Sequence, residues 1–150
     1  MKIKGIQLSL KQESYIETIY ELCKEHSHAH TKDIADKMGV KMASVTEAIQ
    51  GLAEKGIINY HARLNTTLTP LGEDVAIELE KRHLALADFF KNILGCSDKL
   101  SEDIACEIEH VIDDEFLQRL TDFVAFLRKD LPSNGVDPIE EFKKRYKDGK

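Results

Sequence analysis

Cys106-Glu107-Ile108-Glu109-His110 places a thiol, two carboxylates and an imidazole within five residues. On a helix, Cys106, Glu109 and His110 stand at i, i+3 and i+4 and share one face. Glu102, one turn earlier, falls on the same stripe. A face of thiolate, carboxylate and imidazole can hold a divalent transition-metal ion. Ile104, Ile108, Val111 and Ile112 are apolar neighbours that would keep it partly dry. The plainer alternative is a helix with a small buried Cys and a solvated Glu-His pair, and the elements around the stretch decide between them.

Composition sets the frame for those elements. With 150 residues, 42% hydrophobic and 32% charged, the chain suits one domain or two small ones sharing a core. No apolar run is long enough to span a membrane, and the N-terminus lacks a signal-peptide apolar core, so a cytoplasmic protein is expected. Cys23, Cys96 and Cys106 are odd in number and widely spaced, which argues against a disulfide framework. The net charge of -6 is unevenly spread: residues 1–70 carry +1 and residues 71–150 carry -7. A modest DNA-binding patch is allowed in the first half, and the acidic second half suits a cation better than an anion.

Leu8 to Lys24 reads as a helix, with Leu8, Ile16, Ile19, Tyr20 and Cys23 at helical spacing and Glu13, Ser14, Glu17 and Glu21 bordering them. His26, His28 and His30 alternate in the polar linker that follows. That spacing could bind metal in an extended strand, although a solvated loop is the simpler reading. Thr31 is a good N-cap for a short helix through Met38, with Ile34 and Ala35 inward. Gly39-Val40 breaks it, and a second helix runs from about Met42 to Lys55, closed by Gly56. Helix, short turn, helix is the helix-turn-helix pattern. The β-type runs 57–60 and 66–68, joined by a loop with Arg63 at its tip, form a wing directly after it. Arg63 can reach a phosphate or the minor groove. The second helix exposes Lys41, Ser44, Thr46, Glu47 and Gln50, types that can bond base edges or phosphates. With Thr31, Ala43 and Arg63 they make up the expected DNA-contacting set.

Thr69-Pro70 starts a long helix to about Leu94, with His83 in its middle. Ser101 can cap the next helix, which carries Glu102 through His110. Asp113-Asp114-Glu115 opens a further one through about Arg128. Pro132 to Gly135 ends the ordered part, and a charged tail follows, helical from Pro138. Phe89, Phe90, Leu94, Leu117, Leu120 and Phe123 are more apolar surface than so short a segment can cover, and suit a two-fold dimer seam. The expected fold is mainly α: a winged helix-turn-helix over 1–72 and a helical metal-binding and dimerisation domain over 73–150.

On these residues the chain resembles the diphtheria-toxin-repressor family of metal-dependent transcriptional regulators. The carriers are 15–20 (Tyr-Ile-Glu-Thr-Ile-Tyr), Asp33-Ile34-Ala35, Ser44-Val45-Thr46, Leu68 to Gly72, Arg82-His83-Leu84 and Cys106 to His110. The resemblance implies a cytoplasmic homodimer that binds palindromic double-stranded operator DNA when Fe(II) or Mn(II) sits between its DNA-binding and dimerisation domains, and represses genes of metal homeostasis. By position, Cys106, Glu109 and His110 match the primary site, Glu17 and His83 match ligands of the manganese-type branch, and Glu102 stands where the iron-type branch has an ancillary His. Ser14 replaces the usual first-helix ligand, and Ala87 replaces a carboxylate. The length to Lys150 leaves no room for the SH3-like domain of longer members. The thiolate leans the metal to Fe(II), and the carboxylates and short form lean it to Mn(II). Zn(II), Co(II) or Ni(II) would also enter in vitro.

The alternative is a metal-independent winged-helix regulator that senses a small molecule or thiol oxidation through Cys106. An enzyme is not expected: there is no His-Glu-x-x-His motif and no Gly-rich phosphate loop.

Overall fold

The computed structural model of the chain describes residues 2–60, 65–129 and 137–148. They fall into two compact units, Met1–Glu80 and Lys81–Lys150.

The first unit opens on a hairpin, β1 (Lys2–Ile3) against β2 (Ile6–Gln7). Two-residue strands are too short to show a period, so this hairpin leaves no pattern in the sequence. Helix α1 (Leu10–His26) begins two residues later than expected, since Ser9 and Gln12 form a reciprocal capping box. The Ser9 hydroxyl accepts from the Gln12 N–H and the Gln12 side chain accepts from the Ser9 N–H, each at 3.2 Å. Tyr15, Ile16, Ile19 and Leu22 are its buried face. Glu13, expected at the border of that face, is fully buried, because it stands one turn before Ile16 on the same side.

Helices α2 (Thr31–Met38) and α3 (Met42–Glu54) form the expected helix-turn-helix. Gly39 closes α2 in the left-handed region at φ 65°, and the Val40 N–H returns to the Ala35 carbonyl at 3.0 Å. The cap at the other end of α2 is His30, not Thr31, which is the first helical residue; the His30 side chain makes no capping hydrogen bond. Ile34, Ala35, Val45, Ile49 and Leu52 are buried in one core with the apolar residues of α1. Each large aliphatic side chain so buried contributes roughly 1.5–3 kcal/mol.

Strands β3 (Ile58–Asn59) and β4 (Thr67–Leu68) pair antiparallel, Ile58 opposite Leu68, and make the expected wing. Ala29, just before α2, joins the wing by a two-way backbone bridge to Thr66. The wing tip, Arg63 included, lies outside the described residues. Helix α4 (Pro70–Asp88) is capped by Thr69, whose hydroxyl accepts from the Gly72 N–H at 3.0 Å and donates to the Gly56 carbonyl at 2.6 Å. Val75, Ala76 and Leu79 complete the core of the first unit.

In the second unit α4 runs into one π-helical segment, Phe89–Ile93, rather than continuing as an α-helix to Leu94. The Leu94 N–H bonds five residues back to Phe89, while Phe89 and Phe90 pack edge to face. Over five residues the apolar pattern cannot separate this winding from an α-turn. Helix α5 (Asp98–Ile108) is capped by Ser97, whose hydroxyl accepts from the Leu100 N–H. Ser101, expected as that cap, is instead buried within the helix and donates to the Ser97 carbonyl at 2.9 Å. Helix α6 (Asp114–Lys129) starts where Asp113 accepts from the Phe116 N–H, and α7 (Pro138–Asp148) follows. Residues 130–136, where the end of the ordered part was expected, lie outside the described residues. Leu86, Ala87 and Ala105 are buried together, with Phe90, Ile108, Ile112 and Leu120 packed on them. Among the described residues no helix is long and apolar enough to cross a membrane.

Candidate functional site

The second unit gathers four of the six expected metal-ligating residues around one imidazole. His83, on α4, has a carboxylate at each ring nitrogen: Glu102 Oε2 lies 2.7 Å from Nε2, and Glu109 Oε2 lies 3.0 Å from Nδ1. The other Glu109 oxygen lies 3.7 Å from His110 Nε2. Glu102 stands in α5 and is exposed, whereas the Glu109 side chain is 3% exposed.

Helix α5 ends at Ile108. Glu109 is its C-cap and His110 lies in the turn beyond it, so the stretch Cys106 to His110 straddles the end of the helix. Glu109 keeps helical dihedrals, and its N–H still reaches the Ala105 carbonyl. Ala105 is buried and Glu109 follows one turn later, which turns the carboxylate inward, while Cys106 is exposed. All three cysteines are thiols rather than disulfides. Glu17 belongs to the first unit, half-buried on α1, where neighbouring Ser14 spends its hydroxyl on the Leu10 carbonyl at 3.2 Å. Ala87 is part of the second unit's core, and Asp88 beside it pairs with Arg128 at 3.0 Å.

Two opposed effects set the charge of His83. Partial burial pulls its pKa down, but hydrogen bonding to Glu102 and the negative charges of Glu109 and Glu102 outweigh that, and the net direction is up from 6.5. The cluster therefore favours positive charge at this point.

Arg82, outside the expected ligand set, supports the site from behind. It is buried to 1% exposure, donates to the Ile112 carbonyl at 3.3 Å and pairs with Asp114. It thereby holds the turn between α5 and α6, the turn that carries Glu109 and His110. An Arg adjoining His83 was visible in the sequence, but its partners, 30 and 32 residues away, were not.

On the helix-turn-helix, Lys41 caps α3 and is exposed together with Ala43, Glu47 and Gln50. Ser44 and Thr46 are half-buried, and Thr46 donates to the Met42 carbonyl at 3.0 Å. Thr31 is half-buried at the start of α2.

Comparison with known proteins agrees with this division of features. A model of the iron dependent repressor N-terminal DNA binding domain matches residues 7–65, and one of the iron dependent repressor metal binding and dimerisation domain matches residues 69–138. The HTH-type transcriptional regulator MntR of Shouchella clausii is 32% identical over 134 residues, 89% of this chain and 91% of that protein. An uncharacterized HTH-type transcriptional regulator of Methanocaldococcus jannaschii is 31% identical over 118 residues, 78% of this chain and 94% of that one. Among solved structures, a manganese-dependent transcriptional repressor in complex with manganese superposes with a TM-score of 0.68 at 29% identity. That match covers 77% of this chain and 53% of the other, so this chain spans about half the length of the solved protein. The manganese regulator SloR is similar, with a TM-score of 0.65 at 28% identity, covering 77% of this chain and 54% of that one.

Proposed function

This chain belongs to the iron-dependent repressor family, and we propose that it represses genes of metal-ion homeostasis, with Fe(II) or Mn(II) as the ion that switches on operator binding. It is a metal-dependent DNA-binding transcriptional regulator and not an enzyme. The cluster on His83 is the observation that supports a metal centre. A chain of contacts, Glu102 to His83 to Glu109 to His110, links two imidazoles and two carboxylates there, and one of the carboxylates is buried. Oxygen and imidazole donors suit Fe(II) and Mn(II), and the thiol of Cys106 adds a softer donor on α5.

The proposed ligands are His83, Glu102, Cys106, Glu109 and His110, with Glu17 as the ligand from the first unit on the strength of its match to the family pattern. When bound, an ion would supply positive charge beside the Glu102 and Glu109 carboxylates. Glu109 and His110 then keep a fixed orientation because Arg82 anchors the turn that carries them. In this reading occupancy of the centre and binding of DNA favour each other reciprocally. Residues 1–72 are assigned to DNA binding and 73–150 to metal binding and dimerisation. Lys41, Arg63 and Thr31 are assigned to phosphates or the minor groove, and Ala43, Ser44, Thr46, Glu47 and Gln50 to the major groove. The homodimer places two such heads on a palindromic operator in the cytoplasm.

The test is anaerobic binding to a palindromic promoter fragment, titrated in turn with Fe(II), Mn(II) and Zn(II). Tight binding only with metal supports the reading, and the rank order assigns the ion. Equal binding with and without metal overturns it and turns attention to oxidation of Cys106.

A further inference from the structure

We propose that His28 and His30 form a second metal site, separate from the His83 cluster and suited to a late divalent transition ion such as Zn(II), Ni(II) or Cu(II). Their Nε2 atoms lie 3.2 Å apart, with the rings edge to face and centroids 4.7 Å apart. Two imidazole nitrogens bound at about 2.0–2.1 Å to one tetrahedral ion stand about 3.3–3.4 Å from each other. The pair thus already has the separation that a shared ion requires.

The backbone explains why. The chain leaves the bend at His28 through the bridge residue Ala29 and is extended at His30, φ -89° and ψ 145°, so the two histidines flank one extended position. Ala29, between them, is fully buried. It is clipped to Thr66 by two backbone hydrogen bonds, each 2.9 Å. The two rings are therefore mounted on a fixed point of the wing, and much of the ordering that a two-ligand site would otherwise need is present beforehand. In the metal-free pair one Nε2–H donates to the other Nε2. Loading requires that ring to carry its proton on Nδ1 instead, after which both Nε2 lone pairs are available and neither ring loses a net proton. Asp33 in the first turn of α2 offsets the positive end of that helix beside His30.

Donor chemistry sets the selectivity. An all-imidazole pair follows the order Mn(II) < Fe(II) < Co(II) < Ni(II) < Cu(II), with Zn(II) below copper, and gives Mn(II) no hard oxygen beyond water. The ion here would be of a different class from the one proposed at Glu109, and it would tie the segment before α2 to the wing through Ala29 and Thr66. This site stands whether or not the His83 cluster holds metal.

The experiment uses the whole chain and reads the residues directly by imidazole 15N NMR during titration with Zn(II), then Mn(II). The expected result is that the Nε2 signals of His28 and His30 shift together at one Zn(II) per pair, that tenfold Mn(II) fails to displace that Zn(II) from a chain carrying His83→Ala and Glu109→Gln, and that the Ala29 and Thr66 amides exchange more slowly. A chain carrying His83→Ala and Glu109→Gln should still take up one Zn(II) in competition with a chromophoric chelator, and should lose it on adding His28→Asn and His30→Asn. Signals that stay still under Zn(II), Zn(II) that tenfold Mn(II) displaces, or Zn(II) uptake that survives in the chain with all four substitutions would overturn the proposal.

Discussion

Glu109 meets His83 through a 3.0 Å contact between Oε2 and Nδ1, and the carboxylate is almost wholly withdrawn from water while the imidazole is not. The carboxylate is therefore the more desolvated of the two groups, and its charge is the costlier one to leave unbalanced. Glu109→Gln keeps the shape, removes the charge, and should abolish metal-dependent operator binding. The charge-assisted bond to His83 weakens, so a loss of about 1–2 kcal/mol in stability is expected, with the fold retained. Circular dichroism and metal-titrated DNA binding check the two halves of this prediction. Normal metal response in the variant would remove Glu109 from the centre.

The pH dependence follows from the raised pKa of His83. A group whose folded pKa is raised contributes stability that is fully present below its unfolded value, near 6.5, and is lost as pH rises through the folded value. Metal-free protein should thus lose the His83 contribution as the pH climbs above 6.5, and His83→Gln should flatten that loss. Metal affinity should run the other way and weaken as the pH falls, because an ion must displace the proton. Denaturation curves and metal titrations between pH 5.5 and 8.5 test both slopes.

Arg82 and Asp114 form an asymmetric pair, one buried and the other 77% exposed. Arg82→Met should cost about 1–3 kcal/mol, since it strips the Ile112 carbonyl of a donor inside the unit. Asp114→Asn should cost under about 1 kcal/mol, as for exposed ion pairs. Arg82→Met should also weaken metal binding, because the turn carrying Glu109 and His110 loses its anchor. Unfolding measurements with equal losses in both variants would refute the asymmetry.

Two glycines should respond with opposite signs. A Cβ on Gly72 would land on the Ile57 carbonyl oxygen where α4 crosses the wing. Gly72→Ala should therefore destabilise by about 1–3 kcal/mol. On α3 a Cβ at Gly51 meets only Gln12 Nε2, at an ordinary 3.9 Å. Gly51→Ala should stabilise by about 0.5–1 kcal/mol, through the backbone entropy of a helix interior. Thermal melts of the two variants decide the matter.

Helix α6 has no buried residue, and Phe116, Phe123 and Phe126 are each about half exposed. Such a face in a family whose matched domain is described as a dimerisation domain is the surface a second copy should cover. Phe123→Asp should raise the dimer dissociation constant at least tenfold in sedimentation equilibrium while leaving helicity unchanged. A dimer of unaltered strength would place the seam elsewhere.

Local rules sufficed for most of the elements. Apolar spacing, with Gly39, Gly56 and Thr69-Pro70 as punctuation, located the helix-turn-helix, the wing and the start of α4, because helix periods and turn residues act over a few positions. Elements shorter than a period escaped, namely the hairpin of Lys2–Ile3 with Ile6–Gln7 and the π-helical segment at Phe89–Ile93. Ser97 and Ser101 are both capping types, and the choice between them fell to packing, which buried Ser101. The chemistry-bearing residues around Cys106 were legible by type and spacing. That α5 would stop at Ile108, turn Glu109 inward and leave Cys106 exposed was not. His83 finds Glu102 and Glu109 from 19 and 26 residues away, and Arg82 finds Asp114 from 32. Separations of that length carry no local signature: which carboxylate is buried, and which way a pKa moves, depend on distances and solvent exclusion that only the packed chain possesses.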